Sequence, residues 1–331
     1  MYMTKLYTFS STILKHMHII EKVKRFLLSK KNGWLVLILI LLVALFLLQT
    51  TRKSIKFEGF QQKEPFTIQR GLGVYDEFYS EIHDRLYNTE TRSEKEAVNI
   101  INATQPDKTN SHFLDIGCGT GCLVNALKKR GYTAIGIDKS AAMIETGVER
   151  RPDAKSAMKC GDALDTMTFE RGMFTHILCM DRTIYEIEDK IAFLRNCKHW
   201  LQPGGYLFLH LVEPGEFNAI VPLGQPKGLV KDTDELKMAN GKRITDTAID
   251  FFDFKYTSSY DFSQYDKSGV VVQTEKFVDA TTNNVRQNEH TYFMRPTRSI
   301  LEDARYCGFV LNGQFISTMD KYQKVYILKA L

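Results

Sequence analysis

No C-x-x-C pair occurs among the six cysteines (Cys118, Cys122, Cys160, Cys179, Cys197, Cys307), and they are scattered along the chain. That excludes a zinc ribbon and gives no disulfide framework, so the thiols read as reduced groups on a cytosol-like side. Acid is almost missing from the first 56 residues, where ten Lys or Arg face Glu21 alone, a balance of +9. The whole chain carries +5, which leaves −4 for residues 57–331. The basic character therefore belongs to the N-terminal arm. A domain of net negative sign is poorly suited to gripping phosphate backbones by counterion release, so nucleic acid is not an expected partner.

What the chain does have is length for one large α/β domain plus an appendage, at 331 residues. Residues 1–32 form a basic arm, surface-seeking or simply solvated. From Gly33 to Leu48 no polar side chain interrupts the apolar run except the indole of Trp34. With Gln49 to Thr51 it reaches the length of a single transmembrane helix, and Trp34 stands where an interfacial anchor would. A soluble core helix would carry a polar face. A cleaved leader would be shorter and would be followed by a small-x-small site. Residues 33–51 are thus expected to anchor the chain in a membrane. Lys22, Lys24, Arg25, Lys30 and Lys31 on one side balance Arg52, Lys53, Lys56 and Lys63 on the other, so flanking charge does not set the orientation. Residues 52–70 read as a linker, and 71–331 as the folded domain.

His112 to Ile116 reads as a short buried strand, followed by Gly117-Cys118-Gly119-Thr120-Gly121 and then a helical pattern that Gly131 stops. Strand, glycine turn and helix form the nucleotide-binding corner of a doubly wound sheet. A dinucleotide fingerprint would need its third glycine where Cys122 stands. In addition, Asp115 lies two positions before the first glycine, where a carboxylate would repel a pyrophosphate. The combination suits an adenosine ligand with an amino group and a sulfonium in place of phosphates, namely S-adenosylmethionine. A second strand ends at Asp138, about twenty residues on, where a carboxylate can hold a ribose diol. Past a third strand, Asp162 and Ala163 stand where an acid can accept from the adenine amine.

Upstream, Val74 to Tyr87 carries aromatics at helical spacing; they pack on the sheet, or Tyr75 or Tyr79 closes over the ligand. A further helix over 93–103 is expected to be capped by Ser93 with Glu96 three residues on. The fourth strand, Phe174 to Met180, releases Asp181 and Tyr185 at its C-terminal end, where open α/β sheets place ligands. Leu201-Gln202-Pro203-Gly204-Gly205 turns into a fifth strand that ends near His210 and Glu213.

The motifs Leu114–Gly121, Gly136-Ile137-Asp138, Gly161-Asp162-Ala163 and Leu201-Gln202-Pro203-Gly204-Gly205-Tyr206, in that order, resemble the class I S-adenosylmethionine-dependent methyltransferases. The resemblance covers about residues 74–213 and 297–331. It implies a doubly wound seven-stranded sheet with one antiparallel strand. Residues 214–297 then form a β-rich insertion over the cleft, with alternating segments at 248–260, 270–279 and 285–293. It further implies that Tyr75, Asp115, Gly117, Cys118, Gly119, Gly121, Asp138, Lys139, Asp162, Ala163 and Met180 line the cofactor, with no metal. A base is required only if the acceptor must lose a proton, and His210, Glu213, Tyr185, Asp181 and His290 are the candidates. No N/D-P-P-Y/F/W follows strand four and no Pro-Cys appears there, which argues against methylation of DNA bases. A small molecule, a lipid or a membrane-proximal protein remains as acceptor. Supply of the cosubstrate favours the cytosolic side for the C-terminal domain. The alternative function is an inactive cofactor-binding module that serves as a membrane-tethered scaffold; a nicotinamide oxidoreductase is opposed by Asp115 and the absent third glycine.

Overall fold

The computed structural model describes residues 64–216, 246–251, 253–317 and 323–331, together with Trp34, Ile38 and residues 41–43. The chain divides into two units, Met1–Lys56 and Phe57–Leu331. In the first, the five described residues are helical and exposed. The rest of the expected anchor and the basic arm lie outside the described residues. Among those described, no helix is long and apolar enough to cross a membrane.

The second unit is built on two sheets. The larger has seven strands: β2 (His112–Ile116), β3 (Thr133–Asp138), β4 (Met158–Cys160), β5 (Phe174–Cys179), β6 (Leu201–Val212), β11 (Phe309–Ile316) and β12 (Gln323–Ala330), in the order β11-β12-β6-β5-β2-β3-β4. Only β12 runs antiparallel to its neighbours in this sheet. Strands buried on both faces need apolar residues at successive positions, and the sequence supplies them: Phe113 and Leu114, Ile177 and Leu178, Leu207 and Phe208. On one face Leu114, Ile177 and Leu207 pack on Phe193, Leu194 and Trp200 of a helix over Lys190–Trp200. On the other, Phe113, Leu178 and Phe208 share a core with Ala97, Ile100, Val124 and Leu127. Burying a side chain of this size contributes about 1.5–3 kcal/mol. Strand order reverses between β2 and β5, which opens a crevice at their C-terminal ends.

Helix α1 (Glu77–Tyr87) and helix α2 (Thr89–Thr104) precede β2. The sequence suggested that the second of these begins at Ser93. It begins one turn earlier, because Asn88 in the left-handed region both ends α1 and starts α2. Ser93 and Glu96 are then buried inside the helix, and Glu96 pairs with Arg92 rather than serving a cap.

The second sheet has the order β1-β10-β9-β8-β7: β7 (Asp246–Asp250), β8 (Phe254–Asp261), β9 (Val270–Asp279), β10 (Val285–Phe293) and β1 (Phe66–Arg70). The span 248–260, read as one alternating segment, holds parts of two strands, β7 and β8. Phe66–Arg70, read as the end of a linker, is a strand parallel to β10. Its five residues are too few to carry a strand signal by themselves; they pair with Val285 to Glu289. Phe78, Tyr79, Ile82, Leu86 and Tyr87 share the inner face of α1 and pack on Phe254, Tyr256 and Phe277 of this sheet. The aromatic stripe of α1 therefore covers the five-stranded sheet.

Candidate functional site

At the crevice, all three corner glycines have positive φ, +69° at Gly117, +55° at Gly119 and +77° at Gly121. A Cβ at Gly117 would lie 2.5 Å from Thr183, and one at Gly121 would lie 2.0 Å from the Met158 sulfur. Both the backbone conformation and the space thus demand glycine. Gly121 acts from behind the cavity, as the residue that starts helix α3 (Cys122–Lys129).

Four of the corner's N–H groups are already spent. Gly117 and Cys118 donate to the Ile137 carbonyl at 2.9 and 3.0 Å, Gly121 donates to the Cys118 carbonyl at 2.9 Å, and Gly119 donates to Asp138 Oδ2 at 2.9 Å. A pyrophosphate would need such donors free. Asp138 also accepts from Ser140 N at 2.9 Å, and Ser140 caps helix α4 (Ala141–Arg150) through Met143 N. Burial raises the Asp138 carboxyl above its ordinary range despite these two bonds.

Asp115, at the end of β2, is buried, and its carboxyl is pushed well above the usual range. Desolvation is the main cause; repulsion from Glu96 and Asp138 adds to it and Arg92 offsets part. A buried acidic cluster of this kind favours a cationic ligand, because a positive charge would relieve both costs.

These residues line one cavity of about 430 Å³. Of the residues expected at the cofactor, Tyr75, Asp115, Gly117, Cys118 and Gly119 line it. So do Asp138, Lys139, Asp162, Ala163 and Met180. Asp162 sits at the exposed end, bridged to Lys139 Nζ at 3.1 Å. Tyr75 is fixed from several sides: Ser140 Oγ donates to its carbonyl, and Arg286 of β10 donates both to Val74 O at 3.2 Å and to Asp76 at 2.7 Å.

Of the five candidate bases, Asp181 and His290 line the cavity. Asp181, just beyond β5, has a left-handed backbone, φ +54°. Burial alone would raise its carboxyl, but Arg92 and Arg182 bring it down to about 2. The other three stand elsewhere. Tyr185 is buried and exchanges hydrogen bonds with the backbone of Val212 at 3.1 and 2.9 Å, which pins helix α5 (Thr183–Glu186) to β6. Glu213 accepts from Thr297 N at 3.1 Å, at the start of the helix Thr297–Tyr306. His210 is buried within β6, in register with Val325.

The sequence reading missed the polar inner face of the five-stranded sheet. Val271, Gln273, Glu275 and Phe277 alternate inward on β9, as do Arg286, Asn288, His290 and Tyr292 on β10. His290 Nε2 is 2.7 Å from Glu275 Oε2, while Tyr256 and Tyr87 donate to Glu275 Oε1 at 2.7 and 3.0 Å. Burial would raise the Glu275 carboxyl, yet His290 and these bonds hold it down at about 2. Tyr75 Oη lies 3.3 Å from His290 Nδ1 and donates to Glu186 of α5. Arg182 reaches the same face, donating to Tyr260 at 2.6 Å and Gln273 at 2.8 Å, with its guanidinium over the rings of Tyr87 and Tyr292.

Comparison with known proteins agrees with this geometry. Residues 114–209 match the family described as a methyltransferase domain. A ubiquinone biosynthesis O-methyltransferase of Coxiella burnetii is 30% identical over 103 residues, 30% of this chain and 43% of that protein. A cypemycin N-terminal methyltransferase of a Streptomyces species is 34% identical over 108 residues, 31% of this chain and 43% of its own. The chain thus spans less than half the length of these curated relatives. An S-adenosylmethionine-dependent methyltransferase of Clostridium acetobutylicum shares the fold at 15% identity, with TM-score 0.55 over 76% of this chain and 97% of that one. Residues 114–209 are thus similar to the methyltransferase domain family, and the sheet order and glycine corner belong to the fold that S-adenosylmethionine-dependent methyltransferases share.

Proposed function

We propose that the protein transfers the methyl group of S-adenosylmethionine to an acceptor held between the glycine corner and the five-stranded sheet. The observation that carries the reading is a buried acidic crevice in which four corner N–H groups are bonded within the protein. Such a crevice suits an adenosine ligand that is cationic and has no phosphate. Asp138 would accept from the ribose hydroxyls, Asp162 and Ala163 would meet the adenine, and Asp115 would face the methionine ammonium. When bound, the cofactor supplies an electrophilic methyl on a positively charged sulfur. The chain's own part is to align the acceptor, exclude water and take up any proton the acceptor sheds.

The cavity runs past the corner to His290, Thr291 and Phe293 of β10, which leaves the reacting end of the acceptor facing the second sheet. The acceptor belongs to a small molecule, a lipid or a membrane-proximal protein. The relatives named above act, by their names, at an oxygen in one case and at an N-terminus in the other. The proposal includes a single membrane span over residues 33–51 with the domain on the cytosolic side, supported by the uninterrupted apolar run after Gly33. The decisive experiment incubates full-length protein with tritiated-methyl cofactor and fractionated metabolite, lipid and protein pools. Label in one pool, abolished by excess S-adenosylhomocysteine, is expected. Tight cofactor binding with no label in any pool would instead fit a scaffold.

A further inference from the structure

Along the buried polar face of the second sheet four side chains stand in contact, in the order Glu275, His290, Tyr75, Glu186. They come from β9, β10, the segment before α1 and α5, so four separate parts of the chain converge there. Glu275 and Gln273 sit on an inward face between apolar Val271 and Phe277, a position where a charged side chain is costly unless it has partners. Glu275 has three: His290, Tyr256 and Tyr87. Packing alone would be met by an apolar residue there, so the arrangement calls for a chemical reason.

We infer that His290 is the base of the methyl-transfer step, held in position by Glu275, and that the acceptor is a protic nucleophile, a hydroxyl or amine that keeps its proton until it attacks. This rests on the methyltransferase reading above.

The tautomer follows from the hydrogen bonds. Glu275 is acceptor-only when ionised, so Nε2 carries the proton and donates to it. Nδ1 then keeps its lone pair, because Tyr75 Oη, 3.3 Å away, gives its one proton to Glu186; His290 is one of the residues that line the cavity. The groups facing the ring are Glu275 from β9, Tyr75 with Glu186 behind it, Tyr79 of α1 with its ring 5.8 Å away, and Tyr292 of β10 stacked at 6.0 Å. Arg182, the nearby cation, is directed to Tyr260 and Gln273.

The step balances as follows. The acceptor oxygen or nitrogen forms a bond to the methyl carbon and the sulfur–carbon bond breaks, its electron pair staying on sulfur. The proton of the acceptor passes to His290 Nδ1. The resulting imidazolium is stabilised by the Glu275 carboxylate, and Tyr75 with Glu186 offers a path by which the proton leaves. Glu275 and Glu186 are positioning and relay groups; His290 alone would touch the acceptor.

Three measurements on the full-length protein test this. First, ¹⁵N spectra of histidine-labelled protein bound to S-adenosylhomocysteine should report His290 protonated at Nε2 with Nδ1 bare. The opposite tautomer would overturn the assignment, and this readout needs no variant and no turnover. Second, methyl transfer is followed to benzylamine and catechol as protic probes and to thiocyanate as an aprotic one. His290→Gln should lower kcat for the protic probes at least tenfold and leave the thiocyanate rate and S-adenosylhomocysteine affinity within twofold. A loss that thiocyanate shares, equal rates in both proteins, or no transfer to either protic probe by the wild type would overturn it. Third, Glu275→Gln should lower kcat for the protic probes with little change in KM; an unchanged kcat would remove Glu275 from the scheme. Failure of the wild type to bind S-adenosylhomocysteine at all would strike the methyltransferase reading itself, a different result from any of these.

Discussion

Gly119 donates its backbone N–H to Asp138 Oδ2 at 2.9 Å, across 19 positions of sequence. The acid that ends β3 is thereby shared between the glycine corner and the N-terminus of α4, whose capping Ser140 donates to its other oxygen. One carboxylate sets the distance between the two elements that would bracket a ribose.

Removing it should therefore cost binding. Asp138→Ala is expected to weaken S-adenosylhomocysteine by at least ~1.5 kcal/mol, more than tenfold, through loss of charge-assisted hydrogen bonds. Asp138→Asn, which keeps one acceptor oxygen for the corner, should lose less. Isothermal titration of both variants checks this, and wild-type affinity in Asp138→Ala would contradict the ribose role.

A pH dependence follows from Asp115. Burial, with Glu96 and Asp138 nearby, raises its carboxyl in the free protein. A cationic ligand would bind the ionised form, so binding should expel a proton and affinity should rise as pH rises through the free protein's value. Titration in buffers of different ionisation enthalpy would detect that proton. Asp115→Asn should bind more weakly and flatten the profile; a profile as steep as the wild type's would assign the proton elsewhere.

A third expectation concerns stability alone. His176 is buried against Phe113, hydrogen-bonded to Thr175 and Thr104, and burial lowers it to about 4. Between about 6.5 and 4 the unfolded chain takes up a proton that the native state refuses. Native stability should therefore fall with pH across that window, by up to about 1.4 kcal/mol per unit, and this contribution stops changing below it. Urea midpoints measured against pH should slope less in His176→Gln than in the wild type. Parallel slopes would mean that His176 titrates normally.

The anchor has its own test. Deleting residues 1–51 should release a protein that stays in the supernatant and still binds S-adenosylhomocysteine. Pelleting of the shortened chain with membranes would rule out a single span as its sole attachment.

The glycine-corner end of the cavity was legible because its information is local. Asp115, Gly117, Gly119, Asp138 and Asp162 stand at or shortly beyond the ends of β2, β3 and β4, and βα spacing alone orders them. The end facing the five-stranded sheet was not, because it is built from pairs far apart in sequence. Tyr75 and Glu186 are 111 positions apart, and Tyr87 and Glu275 are 188 apart. One signal was available: Val271 and Phe277 mark an inward face by alternation, and Glu275 shares it. The Ser93–Glu96 pattern misled for the opposite reason. It fits a capping box by spacing, but the left-handed Asn88 had already started the helix.

The parallel pairing of β1 with β10 joins Arg70 to Glu289, 219 positions later. During synthesis the earlier strand emerges long before its partner and waits, with its backbone N–H and C=O groups unpaired, until nearly the whole domain has left the ribosome. Closing so long a loop is entropically slow to be rewarded, so the pairing of β1 forms late and the half-made chain carries an unpaired edge. Maturation of this protein should depend on whatever shields that edge while translation finishes.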